Sequence, residues 1–84
     1  MTYPIKILRS AQKQLSQIDR QDQAAIISAI RNLADDPRPI GCKKLSGRPA
    51  WRLRVGNYRV IYEIQDDVVF ILVVSIGHRK EVYR

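Results

Sequence analysis

The chain has 84 residues, with 15 Lys and Arg against 8 Asp and Glu, giving a formal charge of +7. That length suits one small domain spanning residues 1–84. A single cysteine, Cys42, and a single histidine, His78, leave no internal disulfide and no Cys- or His-rich zinc centre, and no cofactor is expected. The positive balance favours an acidic partner, whether nucleic acid, an acidic protein or an anionic surface. Lys6 and Arg9 interrupt the first apolar run, which argues against a signal peptide, and no run reaches membrane-spanning length. The simplest expectation is a soluble cytoplasmic protein with no membrane partner.

Tyr3 to Leu8 forms a strand candidate, with Pro4 suited to an edge or a strand start. Ser10 is placed to cap a helix whose apolar stripe is Leu8, Ala11, Leu15 and Ile18, at spacings of three and four. Asp19 offers a second cap with Asp22 in the first turn, and Ile26, Ile27, Ile30, Leu33 and Ala34 give the second helix a broad apolar face. Asp35-Asp36-Pro37, then Pro39 and Gly41, stop it. The result is an αα-hairpin. Ile40 to Pro49 reads as a basic, turn-rich connection carrying Lys43, Lys44 and Arg48.

The stretch WRLRVGNYRVIY, residues 51–62, alternates apolar and charged residues about Gly56-Asn57, the pattern of a hairpin with a tight turn. A two-residue loop pairs Val55 with Tyr58, Arg54 with Arg59, Leu53 with Val60 and Arg52 with Ile61. Trp51, Leu53, Val55, Tyr58, Val60 and Tyr62 then share the core face, and Arg52, Arg54 and Arg59 share the other. Like charges directly opposite each other cost about 0.2–1 kcal/mol. A hairpin built only for stability would pair Arg with Glu, so the triplet reads as a site for an anion. A solvated face or a protein contact fits the same three residues.

After a turn at Gln65-Asp66-Asp67, Val68 to Ile76 is apolar on both faces, as befits a central strand. Simple alternation puts Val69, Ile71 and Val73 on the core face and Phe70, Leu72 and Val74 on the arginine face beside Ile61. That second apolar row calls for a cover, either the basic tail or a bound partner. The order β-α-α-β-β-β implies an α+β domain with the two-helix hairpin on one face of a small, mostly antiparallel sheet.

The run KKLSGRPAWRLRVGNYRVIYEI, the strand VVFILVVSIGHRKEVYR and the helices ending in ADDPRP resemble the RelE/ParE superfamily of toxins, the RelE branch more than ParE. The resemblance covers nearly the whole chain. It implies a toxin held inactive by an antitoxin and acting as an endoribonuclease on mRNA in the ribosomal A site. It implies catalytic roles for Arg52, Arg54, Arg59, Arg79 and Tyr83, with arginines here where the best-known RelE has lysines on the first hairpin strand. His78, beside Arg79, is the one side chain that ordinarily titrates near neutrality and is the candidate proton carrier. An ordinary surface residue would look the same, as would a Tyr83 that only frays at the terminus.

Lys43, Lys44 and Arg48 are candidates for contact with RNA, though solvated loop charges have the same appearance. Phe70, Leu72 and Val74 are candidates for antitoxin binding, the partner being an acidic, apolar-striped helix. DNA is expected only through the antitoxin complex, and no metal is expected. Two other readings stay open: a ParE-like inhibitor of DNA gyrase without nuclease activity, and a catalytically inactive antitoxin-binding regulator.

Overall fold

In the computed structural model, which describes residues 2–78, the chain runs β1 (Ile5–Ile7), α1 (Arg9–Ser16), α2 (Arg20–Leu33), β2 (Lys43–Lys44), β3 (Trp51–Val55), β4 (Tyr58–Gln65) and β5 (Phe70–His78). The strands form one sheet in the order β1-β5-β4-β3-β2. Every neighbouring pair is antiparallel except β1 and β5, which run parallel with Ile5 beside Ile71 and Ile7 beside Val73. This is the expected α+β architecture, with one addition. The basic connection contributes β2, a two-residue edge strand pairing Lys43 with Arg52 and Lys44 with Trp51.

The core lies between the helix pair and one sheet face. Ala11, Ile26, Ile30 and Leu33 from the helices meet Leu53, Val60, Tyr62, Ile71, Val73 and Ile76 from the strands. The helical members recur at the spacing of one helix face, and each isoleucine or leucine truncated to alanine there should cost about 2–5 kcal/mol.

Asp19 caps α2 as expected, its carboxylate accepting the Asp22 backbone N–H at 2.9 Å. Burial and the neighbouring Asp19 push the Asp22 carboxyl up from its usual range. Ser10 does not cap α1. The helix begins at Arg9 with Leu8 as its N-cap and no side-chain cap bond. Parallel pairing persists to the helix edge, because the Leu8 N–H donates to the Val73 carbonyl at 3.0 Å. The turn into α1 is therefore fixed by the sheet, two residues earlier than the capping rule suggests.

Two turns are set by glycine. Gly56 adopts φ +60° between β3 and β4, with Asn57 at negative φ, the arrangement of a type II′ hairpin turn. Gly41, at φ +97°, closes the Pro39–Cys42 turn, in which the Cys42 N–H donates to the Pro39 carbonyl at 3.1 Å. Val69 takes the left-handed region too, at φ +52°, where a β-branched side chain is strained. It belongs to the turn, so β5 starts at Phe70 and not at Val68 as alternation suggested.

At the β4–β5 turn, Asp66 accepts from the Tyr3 hydroxyl and from Arg38 Nη2, both at 2.9 Å. Those two donors hold the Asp66 carboxyl below its usual range. Arg38 also lies over Trp51, 5.1 Å from the ring centroid. Tyr62, fully buried, donates its hydroxyl to the Pro37 carbonyl at 2.8 Å. These contacts tie the chain after α2 to the sheet.

Burial pushes the Tyr62 phenol up from its ordinary value, which gives a testable pH dependence. Above about pH 10 the unfolded chain loses the phenolic proton while the folded chain keeps it, so stability falls as pH rises. Tyr62→Phe should cost about 0.5–1.5 kcal/mol at neutral pH and should flatten the alkaline loss. Urea titrations of both proteins at pH 7 and in the alkaline range check this.

Candidate functional site

The hairpin registers as its sequence implies: Arg54 faces Arg59, Arg52 faces Ile61, Leu53 faces Val60 and Val55 faces Tyr58. Arg52, Arg54 and Arg59 therefore share the sheet face opposite the helices. Their settings differ. Arg59 is 8% exposed, Arg52 is half-buried and Arg54 is open to solvent, its Nε 3.5 Å from the Gly56 carbonyl. Ile61, on the same face, is only 4% exposed. Arg59, buried on the same face as Ile61, therefore acts through less water than a charge on a flat surface, whereas Arg54 stays solvated.

β2 enlarges the set. Lys43 is in register with Arg52 and so joins the arginine face, whereas Lys44, opposite Trp51, belongs to the other face. Arg48 lies in the turn before β3, exposed, with its N–H 3.5 Å from the Leu45 carbonyl. Lys6 also reaches this face, beside Leu72. Sequence reading assigned Lys6 no role, because nothing in the sequence shows that β1 lies parallel to β5.

The β4–β5 register changes the expected roles of the last strand. Ile61 pairs with Ser75 but Tyr62 pairs with Val73, so Val74 is an extra residue with no partner on β4. A one-residue bulge inverts the alternation beyond it. Phe70 and Leu72, before the bulge, lie on the open face beside Gln65 and Glu63 and are half-buried. Val74, expected with them, is the bulge itself. Ser75 and Gly77 take the places beside Ile61 and Arg59.

His78 is the main correction. Simple alternation from Phe70 gives it the arginine face, but the bulge carries it to the helix side, in register with Tyr58. The two rings meet edge to face, with centroids 5.7 Å apart. The structure thus brings Arg52, Arg54, Arg59 and Lys43 together and leaves His78 on the opposite side. Arg79 and Tyr83 lie outside the described residues. Among the described residues no group of His, Cys, Asp and Glu is arranged to hold a metal ion, and no helix is long and apolar enough to cross a membrane.

The chain is similar to toxins of toxin–antitoxin systems. A family model described as the ParE toxin of the type II toxin–antitoxin system parDE matches residues 5–83. Toxin RelG of Mycobacterium tuberculosis is 26% identical over 88 residues, covering 100% of this chain and 99% of that protein. A putative RelE-like toxin protein of Escherichia coli is 24% identical, covering 95% and 86%. The archaeal RelE–RelB complex from Pyrococcus horikoshii superposes with a TM-score of 0.85 at 26% identity, covering 96% of this chain and 99% of that chain. The isolated E. coli RelE toxin superposes at 0.80 with 21% identity, covering 96% and 90%. A family match over nearly the whole chain, joined to close superposition on solved toxins of this kind, places this chain in the RelE/ParE superfamily as a toxin of a type II toxin–antitoxin system.

Proposed function

We propose that this toxin is an endoribonuclease that cuts mRNA in the ribosomal A site by attack of the RNA's own 2′-hydroxyl. The observation that carries the reading is Arg54 directly across from Arg59, with Arg52 on the same face. Two guanidinium groups set directly opposite each other favour an occupant with negative charge on several oxygens. A phosphate passing through a five-coordinate state is such an occupant. Arginine suits it, being always charged and able to give two parallel hydrogen bonds to phosphate oxygens.

In this scheme Arg59, held by burial, grips the scissile phosphate, while Arg52 and Arg54 bind its other oxygens or the neighbouring phosphate. Arg79 adds charge at the leaving oxygen and Tyr83 stacks on a base, which is worth about 1–3 kcal/mol, both roles following the family pattern. Lys43 extends the basic track along the backbone, and Lys44 and Arg48 contact ribosomal RNA. Proton transfer is not assigned to His78, which faces the helices. Glu63 shares the open face but lies four residues along β4 from Arg59, about 13 Å away. Among the described residues no strong base stands beside Arg59, so the scheme depends on charge stabilisation and in-line positioning, and the ribosome supplies the second.

The partner that silences the toxin is a cognate antitoxin. Phe70 and Leu72, beside the cationic Lys6, suit an acidic segment with an apolar stripe. A second reading, inhibition of DNA gyrase without cleavage, draws support from the ParE description of the matching family model. The third, an inactive regulator acting with its antitoxin on DNA, requires that expression leave growth unaffected.

In reconstituted translation, primer extension should reveal cuts within codons that depend on the ribosome. Arg59→Ala should lower their rate about 10²–10³-fold, the usual loss for one donor to a developing oxyanion. Naked RNA should be cut far more slowly than ribosome-bound mRNA. Absence of cuts, with supercoiling by purified gyrase blocked instead, would transfer the assignment to the second reading.

The arginine pair also predicts a trade between stability and activity. Arg54→Glu should stabilise the folded chain by about 0.2–1 kcal/mol while reducing cleavage. Thermal melts at low and high salt check this, since the gain should shrink as salt rises.

A further inference from the structure

On the helix side of the sheet, at the end where β4 begins and β5 finishes, lies a cleft of about 480 Å³ lined by Gln14, Gln17, Ile18, Tyr58, Ile76 and His78. Its volume is in the range of small-molecule sites, about 300–1,000 Å³. Its chemistry is specific. Ile18 and Ile76 give apolar surface, Tyr58 and His78 give a pair of rings, and the two glutamines give amide donors and acceptors. Gln14 Oε1 accepts the Ile76 backbone N–H at 2.7 Å, so that amide is held in place with its NH₂ group as a donor. Gln17, exposed at the end of α1, can offer both a donor and an acceptor. Among the described residues no carboxylate, ammonium or guanidinium lines the cleft.

The geometry points to this cleft as a pocket for a nucleobase of the bound RNA, a nucleotide neighbouring the one held by the arginines. This rests on the reading of the arginine face as an RNA site. A base is flat and apolar on its faces, with donors and acceptors on its edge. Aromatic rings, apolar walls and neutral amides match that pattern. An acidic peptide or a cation would be matched by opposite charges, which the described lining residues do not supply. The two sites meet at one end of the sheet. Tyr58 and Arg59 are successive residues of β4 and face opposite sides, and Gly77 and His78 repeat the relation on β5. A strand rounding that end passes from the guanidinium groups directly to the cleft.

The test is a titration of the purified toxin with each nucleoside 5′-monophosphate, and with ribose 5-phosphate as a control, following the Gln14 and Gln17 side-chain amides and the His78 ring by NMR. At least one nucleotide should shift these resonances, and ribose 5-phosphate should not. Gln17→Ala should weaken that nucleotide about 2–10-fold, the equivalent of one hydrogen bond. Arg59→Ala should leave the shifts in place. Their survival in Arg59→Ala, whatever the cleavage assay gives, separates this pocket from the catalytic assignment. No shift at millimolar nucleotide, equal shifts with ribose 5-phosphate, or perturbation by the antitoxin alone would overturn the proposal.

Discussion

The pairing of β4 with β5, including its one-residue bulge, is the constraint on which the rest of the molecule depends. β5 is bonded to β4 on one side and to β1 on the other, and it contributes Ile71, Val73 and Ile76 to the core. Those three residues are not evenly spaced along a regular strand. Only the extra residue at Val74 lets Ile76 follow Val73 onto the same face. The bulge thus keeps the far end of the core filled. It also decides which polar residues reach which side: Ser75 and Gly77 flank the arginine face, and His78 turns toward Tyr58.

Charge is distributed along β4 with the same consequence. Arg59 lies near the start of the strand, whereas Asp66 follows its end, about 23 Å away for seven extended residues. Asp66 is engaged by Tyr3 and Arg38, where it ties the N-terminal segment and the chain after α2 to the turn. That ion pair is exposed and individually weak, but it places Arg38 over Trp51 at the head of β3. The structural carboxylate and the proposed phosphate-binding guanidinium groups therefore sit towards opposite ends of one strand, and the fold is held without neutralising the hairpin from that turn.

Much of this was legible in the sequence because its period is strict. The alternation from Trp51 to Tyr62 and the Gly56-Asn57 turn gave every pairing of the hairpin and both of its faces. The helix pair followed from the spacing of Ile26, Ile30 and Leu33 and from the cap at Asp19. Residues 68–76 were harder, since a strand apolar on both faces has no alternation to reveal an inserted residue. Alternation carried past Val74 would put His78 on the arginine face for that reason, whereas it pairs with Tyr58 on the helix side. β2 and the parallel position of β1 were hidden for another: both depend on long-range pairing of short segments whose own patterns are too brief to read. Lys43 and Lys6 reached the open face through those pairings.

The central claim is the proposal that an arginine face drives attack by the RNA's 2′-hydroxyl on the adjacent phosphate. The chemistry of the fragment ends tests it most directly. Mass spectrometry of mRNA cut in the presence of ribosomes should find a 2′,3′-cyclic phosphate, or its opened product, on the upstream fragment and a 5′-hydroxyl on the downstream one. A 3′-hydroxyl facing a 5′-phosphate would mean attack by water and would contradict the account.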